Sequence, residues 1–340
     1  MSAVIRIGRV ALPIHRRALV FCIATAAALI VVAVVTLSVG KLGIPLAEIP
    51  SALFGGADGK TAFVLERLRG PRLATALLAG ALLGVSGALF QTVTQNPLGS
   101  PDVIGLGAGA GAGVAVASLA FPFIPASLGA VAGAVIATAL VYVCTGRGFR
   151  SPARTIIAGI AVAALAYAIT QYVVSTQLRD AASQLAAYLV GSLNAADAQD
   201  VIVTGVAALI ILPAAVALSR SVSMLEMGDA AAAGVGVDPN RTRTWAVTLS
   251  VLAAGAAVAA AGPVSFVALT APQIARRLIR TSDVSILPSA LTGALVLAVA
   301  DLAAQQAPFV EGLPVGVLTL GVGGAYLGYL LVREHSKGRL

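Results

Sequence analysis

Long apolar stretches, separated by glycine, proline and charged residues, recur along the whole chain and limit its fold more than any other feature. About 20 consecutive apolar residues are enough for a helix to cross the hydrocarbon core of a bilayer. The sequence therefore predicts an all-α polytopic membrane protein with about ten transmembrane helices. The eighth candidate span, residues 264–280, is the weakest, because Gly262-Pro263 leaves room only for a tight reversal before it. The candidate spans are residues 18–40, 73–94, 103–120, 127–146, 155–176, 201–219, 243–261, 264–280, 286–305 and 313–332.

The composition agrees with a chain embedded in a membrane. Hydrophobic residues make up 59% and charged residues 11% of the 340 positions, whereas soluble domains carry about 25% charged residues. The net charge of +8 is not gathered into a basic patch with interleaved aromatic residues, so we expect no nucleic-acid partner. The first apolar run, residues 18–39, is longer than a secretory signal core and lacks a clean cleavage site. We interpret it as a retained span.

Residues that could catalyse a reaction or hold a cofactor are few and scattered. His15 and His335 lie in the two tails, and Cys22 and Cys144 lie in apolar runs, where free cysteine behaves as a small hydrophobic residue. The glycine-rich run 105–113 follows no strand, and the sequence has no phosphate-binding loop, so helix packing is favoured over nucleotide binding. We expect no enzyme activity, no cofactor, no metal and no ATPase within this chain.

The positive charges favour one orientation in the membrane. With a cytoplasmic amino terminus, most of the 22 Lys and Arg residues fall on the inner side, and both termini are cytoplasmic. Residues 1–17 and 333–340 are then inner tails, and residues 18–332 form a single transmembrane domain. Six Lys and Arg residues remain on the outer side in this orientation. Either a span is misplaced, or these cations form an outer surface that binds an acidic partner, and we favour the second interpretation. The cations left outside are Lys41, Lys60, Arg67, Arg69, Arg72 and Arg179.

The inner connection around residues 221–241 has the pattern of a short capped helix. Ser223 and Glu226 match a capping box, and the glycines at 234 and 236, followed by Asp-Pro, match a helix stop. The pattern predicts a helix from near Met224 to Gly234. Such a helix is about 15 Å long and reaches only half of the hydrocarbon thickness, so it lies beside the membrane.

The side chains of this helix suit contact with another protein. Met224, Leu225 and Met227 are apolar residues expected to be exposed, and they alternate with the acidic residues Glu226 and Asp229. This composition is typical of a helix that binds in a groove of a partner. An ordered loop without a partner explains the stretch equally well from the sequence alone.

A few polar side chains within the spans are candidates for a transport path. Asp301 is the ionisable residue that could mark an ion relay, and the sequence shows no partner for it. The uncharged polar residues could line a path or satisfy a backbone carbonyl between helices. The candidates for the translocation path are Gln91, Thr170, Gln171 and Ser175.

Three stretches resemble the iron-siderophore and cobalamin ABC importer permeases, the FecCD-type family, and the likeness runs nearly end to end. Two further segments, Leu225–Asp229 and Asp301–Gln306, look most like the G-type subunit of the ferric-enterobactin permeases. The three stretches are residues 69–102, which begin Arg-Gly-Pro-Arg and end Asn-Pro-Leu-Gly-Ser-Pro-Asp, residues 261–277 and residues 313–324.

The resemblance implies the architecture of a type II ABC importer permease in a bacterial inner (plasma) membrane. Such a subunit pairs with a second FecCD-type permease, binds two ABC ATPase subunits inside and accepts an extracytoplasmic siderophore-binding protein outside. Arg69 and Arg72 would dock the binding protein, since Arg–carboxylate pairs are bidentate and directional. Coupling to the ATPase would fall to Met224, Leu225, Glu226, Gly228, Asp229, Gly234 and Gly236.

Three positions depart from the family pattern. Gly70, Gln273 and Gln305 stand where many members have Leu, His and Arg. These departures weaken the outer docking site of this subunit and favour a heterodimer over a homodimer. Import of a ferric siderophore, most simply a catecholate of the enterobactin type, is the function implied. A cobalamin or haem permease and an ion-coupled secondary transporter are the alternatives, and an intramembrane enzyme lacks any supporting cluster.

Overall fold

A computed structural model describes residues 2–7, 10–40, 42–56, 59–121, 123–146, 152–176, 188–280, 284–310 and 312–335. Lys41 and Arg179, both assigned to the outer surface from the sequence, lie outside the described residues. So do residues 336–340 of the predicted carboxyl-terminal tail.

A two-stranded antiparallel hairpin precedes the helices. Strand β1 covers Ser2–Ile7 and strand β2 covers Val10–His15, with Ser2 opposite His15. Most of the predicted inner tail therefore forms a hairpin. From Arg16 onward the described chain contains helices, turns and loops and no further strand.

Ten helices of the described chain coincide with the ten predicted spans, which confirms the all-α prediction for the membrane domain. Three short helices join them: α2 (Ile49–Leu53), α3 (Gly59–Phe63) and α9 (Asp229–Gly234). A π-helical turn, Val64–Arg69, connects α3 to α4, and a 3-10 turn, Pro101–Ile104, precedes α5. The ten are α1 (Arg16–Ser38), α4 (Gly70–Thr94), α5 (Leu106–Ala120), α6 (Ala126–Cys144), α7 (Pro152–Thr176), α8 (Ala198–Leu225), α10 (Pro239–Ala261), α11 (Val267–Ile279), α12 (Ile286–Gln306) and α13 (Val315–His335).

Helix lengths divide these elements into two groups. Seven helical segments of the described chain are long and apolar enough to cross a membrane, and α5 and α13 contribute shorter apolar stretches. Helix α11 has 13 residues, which is about 20 Å and shorter than a hydrocarbon core of about 30 Å. The weakness of the eighth predicted span therefore has a structural cause, because irregular backbone at residues 262–266 precedes α11.

Helix α4 lies at the centre of the protein, and most of its residues are buried. It packs against α8, α10, α11 and α12. A Cβ added at Gly84 would overlap the carbonyl oxygen of Ser289 on α12, so the two backbones touch. Close approach of this kind is how membrane helices pack densely.

The glycine-rich run 105–113 has the packing role predicted for it. A Cβ at Gly113 on α5 would overlap the carbonyl oxygen of Gly129 on α6, and a Cβ at Gly133 would overlap that of Gly109. The small residues therefore bring α5 and α6 into backbone contact.

The predicted start of the short inner helix is wrong. Helix α8 continues through Ser223 and ends at Leu225, because Val222 and Leu225 are buried and keep the last turn packed. Gly228, with φ of 94°, then ends this run, and α9 begins at Asp229. Its end at Gly234 agrees with the prediction. The left-handed residue of the helix stop is Gly236, with φ of 87°, and not Gly234.

Candidate transport and coupling sites

The short helix α9 and its flanking loops form a projecting segment at one end of the bundle, which we call the α9 face. Met227 and Val235 are exposed on either side of α9, at 60% and 63%. Leu225, expected to be exposed, is instead buried at 1% because it closes the last turn of α8. The apolar surface that a partner could contact is therefore displaced toward Val235.

An ion pair fixes the start of α9 to the next long helix. Both Asp229 carboxylate oxygens accept hydrogen bonds from the guanidinium of Arg243 on α10, at 2.6 and 2.9 Å. Hydrogen bonding from Arg243 lowers the pKa of Asp229 below its usual value. Asp229 thus stays ionised at neutral pH, and the segment keeps a defined position.

A second set of polar contacts ties the α9 face to the central helix. Arg276 of α11 donates from Nη2 to the hydroxyl of Thr92 on α4 at 2.7 Å, and the same nitrogen lies 3.5 Å from a carboxylate oxygen of Glu226. Gln95, just after α4, donates to the carbonyl of Leu225 at 3.1 Å. Sequence reasoning missed Arg276. The only available signal was its place in an Arg-Arg pair at the end of the weakest span.

Gln91, a predicted path residue, braces two helices. Its side chain is 2% exposed, donates to the carbonyl of Leu269 at 3.0 Å and accepts from Gln273 at 3.1 Å. Gln273 also donates to the carbonyl of Pro97 at 2.7 Å. These bonds join α4 to α11, so the structure gives Gln91 a role in packing. Ser175, another predicted path residue, is exposed and donates to the carbonyl of Tyr172 in its own helix.

The other two predicted path residues, Thr170 and Gln171, line a cavity of about 310 Å³. Asp102, Tyr167 and Ser265 supply the remaining polar side chains of its lining. The 3-10 turn carries Asp102, α7 carries Tyr167 with Thr170 and Gln171, and the irregular stretch before α11 carries Ser265. Sequence reasoning did not single out Asp102, because it lies in a turn just before the third predicted span.

Arg69 and Arg72, the predicted docking residues, both have partners within the chain. Arg69 donates from Nη1 to the carbonyls of Thr36 and Val39 at 2.6 Å, and to that of Leu37 at 3.2 Å. These are carbonyls at the end of α1, which lack partners within the helix. Arg69 therefore caps α1, and its docking role stays a prediction.

Arg72 pairs with Asp301, for which the sequence showed no partner. Its Nε and Nη2 atoms donate to the carboxylate at 2.7 to 3.1 Å, and Gln305 adds a hydrogen bond at 2.7 Å. Asp301 is 1% exposed. A buried, bidentate pair of this kind joins the start of α4 to the end of α12.

The sequence matches the description "FecCD transport family" over residues 28–333. The chain belongs to the FecCD transport family. This FecCD-family chain is 38% identical to "Ferric enterobactin transport system permease protein FepG" of Escherichia coli (strain K12), over 95% of this chain and 99% of FepG. It is 35% identical to "Fe(3+)-citrate import system permease protein YfmE" of Bacillus subtilis (strain 168), over 95% of this chain and 98% of YfmE.

A solved structure has the same fold. It belongs to a transporter described as a metal-chelate type ABC transporter in an inward-facing conformation. The TM-score is 0.81, with 24% sequence identity over 92% of this FecCD-family chain and 98% of the solved chain. The fold and the family together establish a multi-pass membrane protein of a transport family.

Proposed function

We propose that this chain is the membrane permease subunit of an ATP-driven importer of ferric siderophores. The observation that carries the proposal is its membership of the FecCD transport family along almost its whole length. Relatives of matching length are named for transport of ferric enterobactin and ferric citrate. The subunit itself would be non-catalytic, with ATP hydrolysed by its partners.

Among ferric siderophores, a catecholate of the enterobactin type is the substrate we propose. FepG, named for ferric enterobactin, covers nearly the same length of chain. Other relatives are named for ferric citrate and iron-hydroxamate import. The siderophore class is therefore a separate part of the proposal, tested by competition between these three kinds of chelate.

The subunit would lie in a bacterial inner membrane with the α9 face and both termini in the cytoplasm. The distribution of Lys and Arg supports this orientation, because cytoplasmic loops carry an excess of positive charge. The opposite end, where Arg69 caps α1, would then face the binding protein. A second FecCD-type permease and two ABC ATPase subunits would complete the importer.

The α9 segment would transmit movement from the ATPase to the membrane helices. Exposed Met227 and Val235 offer apolar contact to a partner. Arg276 joins this segment to α4 through Glu226 and Thr92. A displacement of α9 would therefore reach the central helix through short polar contacts.

The geometry of Asp301 removes the main argument for an ion-coupled secondary transporter. An intramembrane carboxylate without a partner is a candidate ion relay. Asp301 instead accepts three hydrogen bonds from Arg72 and one from Gln305. Its position is that of a structural pair between α4 and α12.

Reconstitution of the importer in liposomes tests the proposed function. The chain is combined with its partner permease, ATPase and binding protein, and uptake of radiolabelled ferric enterobactin is measured with ATP or a non-hydrolysable analogue inside. We expect uptake only with ATP and with all four components. Uptake by the chain alone, driven by a proton or sodium gradient, would reject the proposal.

A further inference from the structure

An apolar groove runs along the surface between α6 and α7, with α5 as its floor. It consists of two cavities of about 540 and 490 Å³ that meet at Leu140, Val162 and Leu165. Apolar side chains and glycine make up the whole lining of the larger cavity. A lining of this kind offers water no hydrogen bonds, so the groove favours an apolar occupant.

The glycines that bring α5 and α6 into contact also leave the groove open, because they have no side chain that could fill it. Large apolar side chains stand at the rim, where Leu140 and Leu165 are exposed. The glycines that line the larger cavity are Gly109, Gly113, Gly129 and Gly133.

The width of the groove suits a single hydrocarbon chain. Helices α5, α6 and α7 are in contact with one another, and the axes of packed helices lie about 8–10 Å apart. A further helix is about 10 Å across with its side chains, so it could cover the groove but not fill it. An acyl chain, which is one methylene thick, fits between two neighbouring helices.

A positive charge stands at one end of the groove. Arg154 lines the smaller cavity together with Cys144, and its side chain is exposed. No carboxylate in the described part of the chain forms an ion pair with Arg154. In the sequence, residues 145–151 between α6 and α7 include two further arginines and no acidic residue. This end of the groove therefore attracts an anion.

The length of the smaller cavity matches one leaflet of a bilayer. Arg154 is the first residue of a candidate membrane span that ends at Thr176. From Arg154 to Leu165, where the two cavities meet, α7 rises about 16 Å. Half of the hydrocarbon thickness is about 15 Å. A chain anchored at Arg154 would fill the smaller cavity within its own leaflet, and its end would reach the larger cavity.

We propose that this groove binds an anionic phospholipid, whose phosphate pairs with Arg154 and whose acyl chain lies between α6 and α7. A guanidinium group binds phosphate oxygens through paired hydrogen bonds, and basic pockets between membrane helices bind anionic headgroups. The inference goes beyond the proposed function, because the ligand is a lipid of the surrounding membrane and not the transported solute. In the proposed orientation, the lipid comes from the inner leaflet.

Lipid binding to the purified full chain in detergent tests the site. Native lipid is removed, phosphatidylglycerol is added, and bound lipid is measured by native mass spectrometry. Phosphatidylcholine supplies the same chains without net charge, and glycerol 3-phosphate supplies the anion without chains. We expect saturable binding of phosphatidylglycerol, about fivefold tighter than that of phosphatidylcholine, since one basic residue beside an anionic lipid changes the affinity by about this factor. Equal binding of the two lipids, or displacement by glycerol 3-phosphate at the same concentration, would overturn the inference.

Two variants change the two halves of the site. Arg154→Gln removes the charge and should weaken phosphatidylglycerol binding about fivefold, with no change for phosphatidylcholine. Ala161→Phe places a ring in the smaller cavity. It should weaken the binding of both lipids at least about tenfold, because each methylene lost from an apolar contact lowers the affinity several-fold.

Matched controls separate the site from general effects of charge and size. Arg277→Gln removes an exposed arginine of α11. Ala164→Phe adds the same ring at an exposed position of α7 that lines neither cavity. Both controls should bind phosphatidylglycerol as the unmodified chain does, and an equal loss in controls and site variants would contradict the assignment. If Ala161→Phe does not fold, Arg154→Gln decides alone, because it changes an exposed side chain.

Cys144 reports on the groove in the assembled importer. It lines the smaller cavity beside Arg154 and is exposed. With Cys22 replaced by serine, labelling of this chain by an alkyl maleimide is measured in the delipidated complex, with and without phosphatidylglycerol. We expect phosphatidylglycerol to slow labelling at least about fivefold, since an occupied site is protected. A Cys144 that stays unlabelled in both conditions would show that a partner subunit covers the groove, and this would overturn the inference. The result is independent of whether the complex transports a siderophore.

Discussion

Arg72 and Asp301 show how the role of a residue depends on a contact that is distant in sequence. The two residues are separated by 229 positions and meet through three hydrogen bonds. The sequence alone predicts a docking role for Arg72 and marks Asp301 as a candidate ion relay. In the structure they satisfy each other, and the carboxylate is almost fully buried.

Removing one partner of this pair should destabilise the protein more than removing both. Arg72→Gln leaves a buried carboxylate unpaired, and we expect a loss of about 3–5 kcal/mol, because an uncompensated buried charge is costly. The double variant Arg72→Gln/Asp301→Asn should recover most of this loss. Thermal unfolding of the purified chain in detergent measures the loss of stability in the single variant and its recovery in the double variant. Equal melting temperatures for the single variant and the unmodified chain would contradict the structural role.

Arg276 is the residue whose loss should separate hydrolysis from transport. Arg276→Gln removes the charge beside Glu226 and shortens the side chain that bonds Thr92. In the reconstituted importer we expect continued ATP hydrolysis and uptake reduced about tenfold, since coupling free energies are about 1–3 kcal/mol. The adjacent variant Arg277→Gln is the control. Uptake and hydrolysis that fall together in Arg276→Gln would argue against a transmitting role.

At the scale of elements, the α9 segment shows where local sequence patterns succeed and fail. The Gly-x-Gly and Asp-Pro signals predicted the end of α9, because they act through backbone conformation within a few residues. The capping box at Ser223 failed as a start signal. Burial of Val222 and Leu225 keeps that turn in α8, and such tertiary packing cannot be read from a cap motif.

The glycine at the end of α9 that matters is Gly236 and not Gly234. Gly236 has φ of 87°, a conformation that a β-branched residue resists, whereas the backbone of Gly234 is helical. Gly236→Val should displace the α9 segment and reduce ATP-coupled uptake severalfold. Gly234→Ala should have little effect, because alanine favours a helix and its Cβ would meet open space. Comparison of the two variants in the uptake assay decides the assignment, and equal activity would contradict it.

At the scale of the whole molecule, hydropathy predicted nearly all helices and little of the site chemistry. Each predicted span coincides with a helix because apolar length is a local property. The contacts of Gln91 and Arg276 come from packing between distant segments. No local pattern predicts which carbonyl or carboxylate such a side chain will meet.

Docking of a binding protein is a proposal at the scale of the whole molecule, and the structure leaves cations other than the two predicted arginines exposed for it. Lys60 and Arg67 are exposed near the start of α4, whereas Arg69 and Arg72 are engaged internally. Charge reversal of Lys60 and Arg67 should weaken binding-protein docking more at low salt than at high salt, because exposed charges are screened within about 8 Å at physiological ionic strength. Titration of the binding protein at two salt concentrations measures the effect, and equal affinity at low salt would contradict docking at this surface.

The backbone contact between α4 and α12 at Gly84 and Ser289 has a mechanical consequence. Two helices whose main chains touch have no intervening side-chain layer that can rearrange, so we expect them to resist separation. We therefore expect α4 and α12 to move together as one body if the subunit opens and closes. We expect the deformation to fall on α7, which is more exposed than α4 and lines the cavity with Thr170 and Gln171.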